Sequence, residues 1–128
     1  MNRDEFRESV FKRDNYRCVI CKSTAVDAHH ILERKLFEDG GYYLDNGASL
    51  CEDCHYKAET TEISCEEIRE KAGILNTILP EGYDSSLRYD KWGNIFVDDS
   101  LERLKGGLGD DEGFVKLMKR AGLYKYFA

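Results

Sequence analysis

The stretch "CVICKSTAVDAHHI", residues 18–31, joins a C-x-x-C pair to two adjacent histidines. A second C-x-x-C pair follows about 30 residues later in "DNGASLCEDCH", residues 45–55, and a third histidine comes directly after it. The chain has only 3 histidines in its 128 residues, so their placement beside the cysteine pairs is unusual. These two segments are therefore the main source of information about the fold and its chemistry.

The paired cysteines predict a structural zinc site. Two C-x-x-C pairs at this separation are typical of zinc-binding modules, and four thiolates complete the tetrahedral coordination of Zn²⁺. The polar neighbours in "CEDC" argue against thiols that merely pack in a core. The fifth cysteine, Cys65, is predicted to pack like a small apolar side chain. The predicted zinc ligands are Cys18, Cys21, Cys51 and Cys54.

The three histidines remain to be explained, because a zinc ion with four cysteine ligands has no vacancy for an imidazole. Adjacent residues in a β-strand point to opposite faces. His29 and His30 therefore suit two different roles, one as a metal ligand and the other as a free base. His55 comes from a separate element and can supply a second ligand, which leaves the open coordination positions that catalysis needs. The alternative is that all three make ordinary hydrogen bonds.

The combined pattern "CVIC…DAHHI…DNGASLCEDCH" resembles the HNH endonuclease family, in its form with a four-cysteine zinc site, over about residues 16–59. The resemblance implies an α+β fold with a small ββα-metal core stapled by the zinc site. Position by position, it implies that His29 and His55 bind the catalytic ion and that His30 is the general base. It also implies that Asn46 braces the loop and orients the base, although "DNG" is in addition a strong turn signal.

The resemblance further implies that the protein hydrolyses phosphodiester bonds of DNA with Mg²⁺ or another divalent cation such as Mn²⁺, leaving 5′-phosphate and 3′-hydroxyl ends. One site per chain predicts nicking of double-stranded DNA, and a homodimer is one way to cut both strands. Basic residues near the motif are expected to contact phosphates as a group. These candidates are Lys12, Arg13, Arg17, Lys22, Arg34, Lys35 and Lys57.

The composition leaves two alternatives open. A net charge of −6 disfavours nonspecific attraction to phosphates unless a local patch is basic. A non-catalytic zinc-ribbon binding module would fit that charge, and a nuclease that acts on RNA is not excluded. No stretch approaches the roughly 20 apolar residues of a membrane span, and the N-terminus has no apolar signal-peptide core. We therefore expect a cytoplasmic protein that has no membrane partner.

The remaining elements follow from periodicity and capping signals. Apolar spacing predicts a helix over residues 3–14, and alternation predicts a strand over 25–32. Ser64 and Glu67 have the spacing of a capping box, and Gly73 is expected to end that helix.

The C-terminal part is less strongly patterned. Gly93-Asn94 is a candidate hairpin turn, and residues 114–122 are a candidate last helix. We expect Trp92 and the aromatic tail to pack in a core. The chain is accordingly predicted to divide into a nuclease core with its N-terminal helix, residues 1–60, and an extension of mixed structure that packs on it, residues 61–128.

Overall fold

The structure is a computed structural model that describes residues 1–127. This part of the chain contains four α-helices and two antiparallel sheets of two strands each, so the predicted α+β class is confirmed. None of these helices is long and apolar enough to cross a membrane. In chain order the elements are α1 (Arg3–Arg13), β1 (Asp27–His30), β2 (Gly47–Leu50), α2 (Glu52–Glu59), α3 (Cys65–Ala72), β3 (Ile95–Phe96), β4 (Arg103–Leu104) and α4 (Glu112–Ala121).

The hairpin of β1 and β2, followed directly by α2, forms the centre of the fold. The strands pair antiparallel, with His29 opposite Ala48 and His30 opposite Gly47. Cys51 is the N-cap of α2, and its sulfur accepts a hydrogen bond from the backbone N–H of Cys54 at 3.4 Å. The order of strand, strand and helix is the one that the ββα prediction requires.

Helix α1 packs against this hairpin through Phe6 and Val10, which are both buried. The approach is close at Gly47, where an added Cβ would lie 2.5 Å from Val10 Cγ2 and 2.7 Å from Phe6 Cζ. Arg13, at the end of α1, donates hydrogen bonds to the backbone oxygens of Leu44 at 2.9 Å and Gly47 at 2.7 Å. A glycine at position 47 and an arginine at position 13 thus fix α1 on β2.

Two apolar clusters hold the elements together. The first surrounds the hairpin and includes Ile31, Leu32 and Leu50, together with Cys65 and Ile68 from α3. The second consists of Trp92, Phe114, Met118 and Phe127. The burial of Trp92 and Phe127 confirms that these aromatic side chains pack in a core.

The N-cap of α3 and the glycines that end α3 and α4 are confirmed, with Ser64 alone supplying a side-chain hydrogen bond of the predicted capping box. The hydroxyl of Ser64 accepts a hydrogen bond from the Glu67 N–H at 3.1 Å, and α3 ends at Gly73 with a left-handed φ of 72°. Helix α4 likewise ends at Gly122, with φ 75°.

The turn of residues 90–94 is one of the places where the extension, residues 61–128, contacts the hairpin core. The chain turns at Gly93, which has φ 82°, as the Gly-Asn signal predicted. The strands β3 and β4 themselves are connected by a later loop, residues 97–102. The Trp92 indole N–H donates to the backbone oxygen of Glu59, the last residue of α2, at 2.8 Å. Helix α3 follows residue 60 in the chain but packs in the first apolar cluster, together with the hairpin. The domain boundary at residue 60 therefore stays a prediction.

Candidate metal centres and active site

The four paired cysteines come together beside the start of α2. One sulfur from each of Cys18, Cys21, Cys51 and Cys54 lies within 4.8 Å of the other three. The first pair sits in a tight turn, in which the Cys18 N–H donates to the Ser23 oxygen at 2.7 Å. A set of four converging thiols fits a structural zinc site.

Local hydrogen bonds favour the thiolate form that zinc binds. The side chain and backbone of Ser23 lower the pKa of Cys21 to about 6. A hydrogen bond from the Cys54 backbone lowers the pKa of Cys51. Burial raises the pKa of Cys54 itself, so its thiolate needs a cation nearby. Cys65 lies apart from the cluster, 5% exposed in the core, as predicted.

A second cluster of metal-ligating groups joins β1 to α2. Ligand atoms of His29, His55 and Glu59 all lie within 4.8 Å of one another. The His55 Nε2 atom is 2.9 Å from Glu59 Oε1 and 3.0 Å from Asp27 Oδ2. His29 is 2% exposed, and neither of its ring nitrogens has a hydrogen-bond partner within residues 1–127. A buried imidazole without a partner, facing a histidine and a carboxylate, fits a divalent cation site.

Sequence reasoning missed Glu59, although a signal was available. His55 and Glu59 are four residues apart in α2, a spacing that places two side chains on the same face of a helix. Asp27 was also missed; it is two residues before His29 in β1 and therefore lies on the same face of the strand.

The two histidines of the cluster differ in protonation. Burial, followed by the charge of Lys91, lowers the pKa of His29 well below its usual range, so its imidazole is neutral and able to bind a metal. Hydrogen bonds to Asp27 and Glu59 raise the pKa of His55 to about 9. His55 must lose this proton before it can act as a ligand, so ion binding at this cluster releases a proton.

His30 lies on the opposite face of β1, as strand geometry predicted. Its ring stacks on Phe6 with 4.5 Å between centroids and meets the edge of Tyr42 at 5.2 Å. Burial, with a smaller effect of Lys91, lowers its pKa to about 4, so the imidazole is neutral at pH 7. Its Nε2 atom has no hydrogen-bond partner in the described part of the chain. The side chain is thus held rigidly in the form that can accept a proton.

Asn46 is 1% exposed and acts on the loop that connects the two strands. Its side chain accepts a hydrogen bond from the Leu32 N–H at 3.0 Å and donates to the oxygens of Leu32 and Gly41 at 3.1 and 3.2 Å. The backbone oxygen of Asn46 accepts a hydrogen bond from the Ile31 N–H at 2.9 Å. Asn46 therefore braces the residues immediately after His30 and reaches the imidazole only through the backbone.

A cavity of about 290 Å³ opens between α1, β1 and α2. His29, His30 and His55 all line it. Its walls carry four basic and three acidic side chains, which are Arg3, Arg7, Arg34 and Lys91, and Asp27, Glu33 and Glu59. The surroundings of the site are thus locally basic in a chain whose net charge is −6.

Of the basic residues predicted from sequence, Arg34 alone lines this cavity. Arg13 instead binds the backbone of the hairpin and the carboxylate of Asp14. The ammonium of Lys35 is 3.5 Å from Asp111. The other predicted side chains lie elsewhere, and these are Lys12, Arg17, Lys22 and Lys57. Arg3 and Arg7 were missed because the sequence does not reveal which face of α1 borders the cavity.

Comparison with known proteins yields a match to one family model. Residues 18–61 match the model described as HNH endonuclease. No curated protein and no solved structure matches the chain. The matched segment contains the four cysteines, both strands of the hairpin and the His29–His55–Glu59 cluster. Over residues 18–61 the chain is therefore similar to the HNH endonuclease family.

Proposed function

We propose that this protein is a metal-dependent endonuclease that hydrolyses phosphodiester bonds of DNA. The observation that carries the proposal is the pair of neutral, buried imidazoles on opposite faces of β1. His29 faces His55 and Glu59, whereas His30 lines the same cavity and has a buried Nε2 atom without a hydrogen-bond partner in the described part of the chain. A binding module that does not cut would have no need for this second cluster beside its zinc site.

His29, His55 and Glu59 would hold the catalytic cation, for which we propose Mg²⁺ or Mn²⁺. A bound divalent cation supplies positive charge that stabilises the phosphate and the leaving oxygen during hydrolysis. The carboxylate of Glu59 is a ligand that suits Mg²⁺ and Mn²⁺, and three protein ligands leave positions open for water and substrate.

His30 is the proposed general base, which takes a proton from the attacking water. Its imidazole is neutral at pH 7, and its ring is fixed between Phe6 and Tyr42. Asn46 supports this role by holding the backbone at Ile31 and Leu32. The backbone that carries the proposed base is therefore fixed by these hydrogen bonds.

Arg3, Arg7 and Arg34 are the proposed contacts to DNA phosphates. They surround the cavity on α1 and on the loop after β1, where their charges favour an anionic backbone. This local group accounts for DNA binding by an acidic chain, because association depends on the field at the site more than on net charge.

One site per chain favours a nick as the first product, with 5′-phosphate and 3′-hydroxyl ends. Incubation of the zinc-loaded protein with supercoiled plasmid tests this, with Mg²⁺ or Mn²⁺ added and removed by EDTA. We expect nicked circles before linear DNA, and a rate that falls steeply with salt because phosphate contacts release counterions. An RNA substrate run in parallel distinguishes the two nucleic acids.

The comparison variants for this experiment are Arg7→Ala and Arg120→Ala. Both remove one exposed positive charge from a helix, but only Arg7 lines the cavity. We expect Arg7→Ala to raise KM for plasmid and to reduce the salt dependence, with Arg120→Ala close to the parent. If the parent binds zinc yet cuts neither DNA nor RNA with any added cation, the protein is a zinc-ribbon binding module instead.

A further inference from the structure

Lys91 belongs to the C-terminal segment but reaches into the histidine cavity. It is 3% exposed, in the turn of residues 90–94, and lies 61 residues from His30 in the sequence. No role in the site follows from the match to residues 18–61, because that match ends well before this turn. A lysine is rarely buried to this extent unless its charge is paired.

The ammonium of Lys91 has three oxygen partners, all of them beside the proposed site. Its Nζ atom donates to the backbone oxygen of His30 at 2.9 Å and lies 3.2 Å from Glu33 Oε2. It is also 3.8 Å from Glu59 Oε1, the oxygen that His55 contacts. Lys91 thus shares the carboxylate of Glu59 with the cluster that would hold the cation.

The backbone around Lys91 fastens both walls of the cavity. The Glu33 N–H donates to the Lys91 oxygen at 2.9 Å, which ties the turn to the loop after β1. The neighbouring Trp92 indole donates to the Glu59 oxygen, which ties the turn to the end of α2. The position of the ammonium between His30 and Glu59 is therefore set by hydrogen bonds on either side.

We infer that Lys91 is a positioning residue that serves as a fixed internal cation of the active site. It holds the His30 carbonyl and the Glu59 carboxylate in place, and its charge limits how tightly the site binds a divalent cation. This inference rests on the proposed function, since it requires that His29, His55 and Glu59 bind the ion. A moderate affinity leaves the ion's charge available to the phosphate.

The inference predicts opposite effects on two ligands when the charge is removed. Without Lys91, the carboxylates of Glu33 and Glu59 lose their counterion, so a divalent cation should bind more tightly. The cavity also loses a positive charge, so DNA should bind less tightly. A lysine with a purely structural role would weaken both interactions when removed, because the site would loosen.

The test is calorimetric titration of zinc-loaded protein with Mn²⁺ for the parent, Lys91→Met and Lys116→Met. Lys116 is an exposed lysine of α4 whose removal changes the net charge equally. We expect Lys91→Met to bind Mn²⁺ at least ~10-fold more tightly, because a unit charge a few ångströms from a divalent ion repels it by more than ~1 kcal/mol even in water. Lys116→Met should bind as the parent does. Plasmid nicking should show a raised KM and a lowered kcat for Lys91→Met alone.

The outcomes separate this inference from the function on which it rests. If the parent binds no Mn²⁺ beyond its zinc, the proposed function fails. If the parent binds Mn²⁺ and Lys91→Met binds it equally or more weakly, the role of Lys91 is overturned. Zinc content and circular dichroism establish that each variant is folded. Lys91→Gln keeps an N–H donor for the His30 carbonyl, and it replaces Lys91→Met in the same comparison if the latter does not fold.

Discussion

His29 and His30 are neighbours in the chain, yet their side chains have separate surroundings. His29 faces His55 across a centroid distance of 5.3 Å, whereas His30 packs against Phe6. The alternation of a β-strand produces this division. Two residues of the same type, in adjacent positions, can therefore contribute different chemistry to one cavity.

Substitution of each histidine should give a different failure. We expect His30→Ala to bind the second cation normally but to lose cleavage by about 10²–10⁴-fold, the usual contribution of a general base. His29→Ala and His55→Ala should weaken cation binding, and a higher cation concentration should restore part of the rate. Calorimetry with Mn²⁺ and the nicking rate measure the two effects.

Tyr56→Ala is the matched control, because Tyr56 follows His55 in α2 and is 50% exposed to solvent. None of these variants should release zinc, since the cysteines form a separate cluster. Loss of cation binding in His30→Ala, with normal binding in His29→Ala, would reverse the two assignments. Parental nicking rates in all three histidine variants would exclude the nuclease proposal.

Among the elements, α1 determines how the hairpin meets the cavity. Its buried residues Phe6 and Val10 pack on β2 at Gly47, and Phe6 also supports the ring of His30. The same orientation turns Arg3 and Arg7 towards the cavity. One helix thus contributes to the stability of the hairpin, to the placement of the proposed base and to the basic rim.

Gly47→Ala should disturb this contact, because the added Cβ would overlap Val10 and Phe6. We expect a loss of about 1–3 kcal/mol in the free energy of unfolding, typical of overpacking in a core. Nicking should also fall, since Phe6 would shift against His30. Denaturant unfolding of the zinc-loaded protein measures the first effect.

Gly113→Ala provides the comparison, because Gly113 lies in α4, where alanine is the better helix former. Its stability should stay closer to that of the parent than the stability of Gly47→Ala does, because the added Cβ meets only the cap oxygen Asp111 Oδ2, at 3.2 Å. Equal stability of the parent and Gly47→Ala would show that α1 can move away from β2 without cost.

At the level of the whole molecule, the zinc cluster and the proposed catalytic cluster share the same short elements. Cys51 and Cys54 stand at the start of α2, and Glu59 stands at its end. A structural zinc ion would therefore fix the helix that carries His55 and Glu59. The turn that contains Lys91 and Trp92 holds the far end of the same helix.

Removal of zinc should consequently abolish both fold and activity. We expect about one zinc per chain in the purified protein and loss of helical structure when it is stripped, because a structural site contributes its binding energy to folding. A lower EDTA concentration should stop cleavage first, while the zinc is retained. Metal analysis and circular dichroism across an EDTA series test this order, and a folded protein without zinc would contradict it.

The sequence by itself determined the features that depend on local spacing. Two C-x-x-C pairs predicted the thiol cluster, because two residues between cysteines let both sulfurs turn towards one ion. Strand periodicity predicted that His29 and His30 diverge, and capping residues predicted the bounds of α3. Each of these rests on the spacing of residues within a short segment, and the two separate cysteine pairs are linked by their common spacing.

Only the tertiary structure decided which distant side chains complete the cavity. Arg3 and Arg7 face it because Phe6 and Val10 pack on the hairpin, and the sequence of α1 does not specify which elements lie beside that packing face. Lys91 reaches His30 across 61 residues through a turn fixed by hydrogen bonds to Glu33 and Glu59. Such pairings leave no periodic trace in the sequence, because packing of separate elements, rather than spacing along the chain, brings the groups together.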